Sequence, residues 1–542
     1  MNLIVLILGI ISTILAAASL SYISMATMVG PWIAPAIVLA SSIVLKLRKK
    51  QDSESNKIKN LAIIQTIGSV GGIVGVGIGF SLPTLYFLDK QLFDNLIKNP
   101  ISFFVFIFFL CIAAGGFGIW LAHVFADKLL VKEKLSFPVS KLIYEIITSQ
   151  SHGKQAKQLF LGFSSSWIIC FFRDGFLRFK GFLPKNFYVF PYLFGKEFVI
   201  ATMPMLLAIG YISGMSIVLP LFVGLLSKYL ILLPLNNHSL YLPFKIFDVF
   251  NFEDFVTAFA SGLVVSEFLL GLTGLPKLIW SKIKNFNLDF NLIKNKSFKN
   301  NFKFLFDIEL IITLFLSFAF LTYFKFSFLS QILLLIFVVL ATYQLVYIGG
   351  KIGLVTFGRF ATFVMLPMML IFKLDYLQIT LLVVFFNVCA AVASDLLFDY
   401  KVGQLSGIEF KKIKKYQWIG LFFTAISIGL FLWLLFSTFQ IGSPELFAQR
   451  GKSRALLIQS LNFDIKILLL GFIYGLILKR LKISPTMVFG GILMPNNLVI
   501  GLLIGAVFSY FTKNKESKYS LWSGVFAGES IWILISILLR FF

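Results

Sequence analysis

The chain has 542 residues, 58% of them hydrophobic and only 13% charged, with a mean hydropathy of +0.91. Apolar runs of membrane-spanning length recur from end to end, which excludes a soluble globular protein and implies an all-α polytopic membrane protein lying in a lipid bilayer. The net charge of +24 does not point to nucleic acid, because the basic residues sit in short loops between apolar runs, where Lys and Arg set topology.

In chain order the predicted spans lie near 3–21, 29–46, 59–88, 101–124, 158–176, 188–213, 215–236 and 256–274. They continue near 306–324, 328–348, 351–372, 377–397, 417–438, 465–481, 485–511 and 521–539, about 16 transmembrane helices in all. The first run has no basic leader and no small-residue cleavage site, so it reads as a retained span. Loop 46–59 carries six Lys or Arg, 128–157 six, 277–303 seven and 401–415 five, while the intervening loops carry few. Placing the rich loops in the cytoplasm puts both termini there too. Segments 173–196 and 444–466 break this alternation: both should be external, yet both are basic, which suggests interfacial or re-entrant pieces.

The third span contains IQTIGSVGGIVGVGIGFSLP (64–83). Its glycines are no nucleotide fingerprint, since no strand-to-helix context surrounds them. Gly71, Gly75 and Gly79 fall on one helix face and read as a packing surface. Gln65, Thr66 and Ser69 either bond a neighbouring helix or line a substrate route.

Pieces of the chain recur. SGLVVSE (261–267) answers SGVFAGE (523–529), IVLPLFVGLL (217–226) answers ILMPNNLVIGLL (492–503), and GGIVG (71–75) answers GGKIG (349–353). The shared order implies a duplication into two eight-helix repeats of the same orientation, 1–282 and 303–542. FGGILMPNNLVIGLL (489–503) concentrates Gly and Pro enough to break a helix. Such breaks free backbone groups for a solute, so Pro495, Asn496, Asn497, Gly349, Gly350 and Gly353 join the candidate substrate pathway.

Charges inside spans are costly and mark function or pairing. Glu267 and Glu529 occupy equivalent repeat positions well inside their spans and are the first candidates for proton coupling; Arg359 is a candidate partner for one of them and a pathway residue. Asp395 and Asp399 lie nearer the cytoplasmic end, where solvated helix-end residues are expected, and rank behind the glutamates. The three cysteines and three histidines are scattered, so no metal site and no cofactor is indicated.

The segment SDLLFDYKVGQLSG followed by KKIKKYQWIG (394–420) resembles a signature of the oligopeptide transporter family. IQTIGSVGG with FSLPTLYFL (64–88), KEKLSFPVSKLIYEI (132–146), AIGYISGMSIVLP (208–220), FASGLVVSEFLLGL (259–272), GGILMPNN (490–497) and WSGVFAGES (522–530) follow in the family's order. Two departures stand out: Asn60-Leu61-Ala62 ahead of Gln-Thr, and LVTFGRF (354–360) in place of an Asn-Pro-Ser-Gly-like loop. The resemblance implies sixteen spans and a proton-driven symporter of small peptides in the bacterial inner membrane. Its yellow stripe-like branch would imply metal–chelate complexes instead. A membrane-embedded enzyme acting on lipid-linked substrate is the rival class; no loop exceeds roughly 35 residues and no His/Asp/Glu constellation supports it.

Overall fold

The structure is a computed structural model describing residues 3–27, 32–47, 53–149, 153–175, 180–193, 196–235, 308–355, 357–443, 446–459 and 465–538, with scattered positions between 252 and 266. Among the described residues, seven helices are long and apolar enough to cross a membrane, and five shorter apolar helices of 10–17 residues accompany them. Two compact units divide the chain. The first joins Met1–Val218, Leu316–Gln459 and Asn496–Phe542; the second joins Leu219–Phe315 and Ser460–Pro495.

The first unit opens with α1 (Leu3–Thr27), α2 (Ala34–Leu47), α3 (Glu54–Gly79), α4 (Thr84–Leu88), α5 (Lys90–Ile97), α6 (Pro100–Ala126), α7 (Pro138–Ser149) and α8 (Gly153–Asp174). Local chemistry sets several boundaries. Pro100 opens α6 behind Asn99, whose side chain accepts from the Ile101 amide at 3.1 Å. The glycine face of α3 packs as expected: a Cβ on Gly71 would collide with the Thr13 carbonyl, and one on Gly75 would lie 3.0 Å from the Ser21 amide.

Later helices are α11 (Ile308–Tyr323), α12 (Phe328–Ile352), α13 (Phe357–Ile371), α14 (Tyr376–Leu405) and α15 (Phe410–Thr438). The core of the unit is α14. It starts at a capping box, Asp375 accepting from the Gln378 amide at 2.7 Å while the Gln378 side chain accepts from the Asp375 amide at 3.2 Å. Nearly every residue from Ile379 to Gly403 is buried, with α3, α6, α7, α12, α13 and α15 packed around it. The stretch Ile379–Phe386, apolar on nearly every side, belongs in such a place. Gly118 of α6 meets the Cys389 carbonyl so closely that no Cβ fits between them.

One part of the all-α expectation needs correction. The predicted span 188–213 is a two-stranded antiparallel hairpin, β1 (Asn186–Leu193) and β2 (Lys196–Ala201), followed by the ten-residue helix α9 (Pro204–Ser213). Aromatic and β-branched residues crowd NFYVFPYL and KEFVIA, a composition that suits strands. Its apolar character alone made it look like a span.

Helix α10 (Met215–Ser227) follows α9 across Gly214, whose φ of +77° breaks the helix. The remaining helices are α16 (Gln449–Gln459), α17 (Ile465–Arg480), α18 (Pro485–Leu493), α19 (Asn496–Phe511) and α20 (Tyr519–Leu538). The expected discontinuity in 489–503 is present, α18 ending at Leu493 and α19 beginning at Asn496. The basic segment 444–466 contributes the short helix α16, packed on α4.

One packing device recurs in both units. In the first, Gly162 of α8 abuts the Leu521 carbonyl of α20 while Gly524 abuts Leu159, and Gly210 of α9 abuts Leu502 of α19 while Gly505 abuts Leu207. In the second, Gly224 abuts Val488 while Gly491 abuts Leu221, and Gly262 abuts Leu468 while Gly471 abuts Phe259. Each antiparallel pair exchanges a glycine for a carbonyl three residues from the partner's glycine, the closest approach two membrane helices make. Gly262 and Gly524 are equivalent positions in SGLVVSE and SGVFAGE, and both use it.

Candidate functional site

Asn387, Asp395 and Asp399 share one face of α14, at steps of eight and four residues. Helix α3 runs antiparallel beside it and presents Gln65, Ser69 and Gly77 at steps of four and eight. The registers match. Gln65 Nε2 donates to Asp399 Oδ1 at 2.7 Å, Ser69 Oγ donates to Asp395 Oδ2 at 2.9 Å, and a Cβ on Gly77 would lie 3.2 Å from the Asn387 carbonyl. The Ser69 hydroxyl is also 3.5 Å from Asp399 Oδ2, so one hydroxyl bridges both carboxylates. From α15, Gln417 Nε2 donates to Asp395 Oδ2 at 3.0 Å.

Asp395 is 6% exposed and Asp399 1%, so the expectation of solvated helix-end aspartates is overturned. The helix runs on to Leu405, and the turn bearing both carboxylates is enclosed by α3, α7 and α15 rather than open at a helix end. Ser140 of α7 donates to the Phe398 carbonyl at 2.8 Å and ties this turn to the amphipathic helix.

The electrostatics follow from these partners. Every donor that reaches the pair is neutral, and no Lys, Arg or His among the described residues forms an ion pair with either aspartate. Two ionised carboxylates sharing one hydroxyl in a dry interior have no compensating charge. Burying two such carboxylates side by side as ions is costly. Polar atoms are left over as well: the acceptors Gln65 Oε1, Gln417 Oε1 and Asn387 Oδ1 and the donor Asn387 Nδ2 are buried without hydrogen-bond partners among the described residues. No group of three or more His, Cys, Asp or Glu among the described residues could hold a metal ion.

The other candidates disperse. Glu529 is fully buried on α20, in an ion pair with Arg173 at 2.5 Å and accepting from the Met205 amide at 2.7 Å. Arg173 also pairs with Asp174 at 2.7 Å, and Asp174 accepts from the Trp532 indole at 3.0 Å. The partner of Glu529 is therefore Arg173, not Arg359. Arg359 lies in the first turn of α13, while Glu267 lies outside the described residues. Thr66 is buried on α3 beside Gln65. Gly350 and Gly353 are contact points, where a Cβ would lie 2.9 Å from Phe137 and 2.7 Å from Val139, and Gly349 faces Val355 in the same way. Pro495 is exposed, and the amides of Asn496 and Asn497 open α19, the Asn497 side chain accepting from the Leu498 amide at 3.0 Å. A cavity of about 430 Å³ opens instead at the Gly214 break, lined by Tyr211, Ser213, Ser216, Ser509, Lys515 and Tyr519 among others.

Sequence reasoning missed Asn387 and Gln417. The available signal was the matched four-residue step of Gln65 and Ser69 against Asp399 and Asp395.

Residues 1–269 and 304–540 match the family described as OPT oligopeptide transporter protein. The chain belongs to the OPT family. No match is found among the curated proteins. OPT membership and the apolar helices make this an integral membrane transport protein, of a family that carries oligopeptides or related substrates rather than one of enzymes. The OPT match runs through every element of the aspartate site, from α3 to α14 and α15.

Proposed function

We propose that this protein is a proton-coupled secondary transporter that moves small peptides across the bacterial inner membrane, with Asp395 and Asp399 as the coupling pair. The observation that carries the reading is the hydroxyl bridge of Ser69 between two buried carboxylates that no basic group among the described residues offsets. A buried carboxylate pair met by three neutral donors from α3 and α15 is suited to gaining and losing a proton as its surroundings alternate. Glu529 is the weaker candidate, because Arg173 and the Met205 amide already satisfy it. The repeated glycine contact at Gly262 and Gly524 supports the duplication into 1–282 and 303–542.

The test is uptake of a labelled tripeptide into proteoliposomes under an imposed pH gradient. D395N and D399N keep side-chain shape but cannot titrate; both lose gradient-driven accumulation while retaining exchange of labelled for unlabelled peptide. E529Q retains accumulation per folded molecule. Full gradient-driven uptake by both aspartate variants would place coupling elsewhere.

A further inference from the structure

The cavity at the Gly214 break plays no part in the chemistry of the aspartate pair. Gly214 separates α9 from α10 at a φ of +77°, and a Cβ built on it would meet nothing within 4 Å. Open space therefore reaches the backbone itself, as it does where a ligand approaches closely. The cavity measures about 430 Å³, far more than a single water needs. Its walls include Ser216, Ser509, Lys515 and Tyr519, with no Asp or Glu among the described residues.

The polar groups of these walls are short of acceptors. Ser509 is 1% exposed and lines the cavity, yet its hydroxyl makes no hydrogen bond among the described residues. A buried serine ordinarily bonds a carbonyl one turn back, as Ser213 does with Ile209 at 2.8 Å. Lys515 forms no ion pair with a carboxylate among the described residues. The amides of Met215 and Ser216 open α10, a helix of 13 residues, and have no acceptor within it. The place of Lys515 is set by its backbone: Tyr211 donates to the Lys515 carbonyl at 3.4 Å, and the Tyr211 ring stacks on Trp522 at 4.9 Å.

The surroundings narrow the choice of anion. Helix α19 ends with Phe508, Tyr510 and Phe511 exposed by 52%, 70% and 78%, and Lys513, Lys515 and Lys518 follow in the link to α20. Exposed aromatic rings beside lysines at the end of an apolar helix mark the level of lipid head groups. Tyr510 also lines the cavity, so the cavity borders that belt.

We propose that this cavity binds a phosphate group, presented by the head group of an anionic phospholipid. Lys515 supplies the charge, and the hydroxyls of Ser216 and Ser509 with the first amides of α10 supply neutral donors. The last carbonyls of α9 end at the same break and repel a bare anion. A head group with hydroxyl donors of its own, such as that of phosphatidylglycerol, therefore suits the site better than an ion alone. The inference is independent of the transport reading above. Its rival is that Lys515 only caps the carbonyl end of α9, as basic side chains do.

The test is the melting temperature of the purified full-length protein in detergent micelles doped with increasing phosphatidylglycerol, or with diacylglycerol of the same acyl chains. Phosphatidylglycerol raises it saturably and diacylglycerol does not. K515Q moves the midpoint of that rise to about ten-fold more lipid, the size of a lost charged hydrogen bond, and S509A moves it several-fold. K513Q, which removes a lysine outside the cavity walls, leaves the midpoint in place. Equal stabilisation by diacylglycerol, or equal losses in K513Q and K515Q, would reduce the effect to acyl packing or diffuse charge and overturn the site. If K515Q melts earlier without lipid but responds to phosphatidylglycerol as the wild type does, Lys515 is a cap and the proposal fails. Inorganic phosphate is the last arm, against chloride at equal ionic strength. Saturable stabilisation by phosphate that K515Q and S509A weaken, with no further gain from phosphatidylglycerol, keeps the phosphate site and removes the lipid as its source.

Discussion

Gln65 and Asp399 are 334 positions apart in the chain and 2.7 Å apart in space. That bond, with Ser69 on Asp395 one turn along, fixes the register of α3 against α14 through polar contacts where apolar packing alone would tolerate sliding. The same contacts hold the two aspartates proposed as the coupling pair, so in that reading fold and function share these side chains.

Gln417→Leu removes the donor that α15 gives to Asp395 among the described residues. The expected loss is about 1–3 kcal/mol, because a buried acceptor goes short of a partner. It is read as a lower melting temperature in detergent. The D395L/Q417L double variant loses less than the two single changes added together; strict additivity would show that the bond carries no coupling energy.

Arg173→Gln strands the carboxylate of Glu529 beneath α9 and costs about 3–5 kcal/mol. E529Q/R173Q together recover much of this, since the fully buried Glu529 charge is gone and the half-buried Asp174 keeps the Trp532 indole. Expression and thermal stability of the four proteins measure the cycle. A double variant as unstable as R173Q alone would mean that the pair is not the source of the effect.

Gly118→Leu prevents assembly, because its side chain would have to occupy the place of the Cys389 carbonyl. G118A already puts a Cβ against that backbone carbonyl and costs about 3 kcal/mol or more, the upper end of overpacking, with leucine worse. Folded yield after detergent extraction ranks glycine above alanine above leucine; equal yields would deny the close approach of α6 and α14.

Cys111, Cys170 and Cys389 are free and buried, so the native chain gives a quiet background for thiol labelling. Single cysteines introduced into loops 46–59 or 401–415 should stay unlabelled by an impermeant reagent outside intact cells and react once the membrane is opened. Labelling of 401–415 from outside would invert the orientation.

Much of this was readable before any coordinates. The helical membrane class, the packing face of Gly71 and Gly75, the break before Asn496 and the family resemblance all follow from local pattern, because each is a property of one segment. The site was only half readable. Gln65, Ser69, Asp395 and Asp399 were picked out separately, but their meeting depends on which helices pack together. Asp399 sits four residues before the glycine of a lysine-containing turn and looked solvated; only the helices around it bury it. Arg173 and Glu529 show the same gap, since a separation of 356 positions leaves no trace of pairing in the sequence. The hairpin at 186–201 was misread because length and apolarity cannot separate a pair of strands from a helix.

Helix α14 also has a history imposed by the order of synthesis. The chain emerges from its N-terminus, and of the helices that wrap α14, α3, α6, α7, α12 and α13 are made before it and only α15 after. A segment carrying Asn387, Asp395 and Asp399 would pay on the order of 2.5–3.5 kcal/mol per central carboxylate if it met lipid alone. The order of synthesis offers it partners: Gln65 and Ser69 are made before the aspartates leave the ribosome, and Gln417 follows them. Moving the α14 segment ahead of α3 in a rearranged gene would leave every contact available in the finished protein and deny them at the moment of insertion.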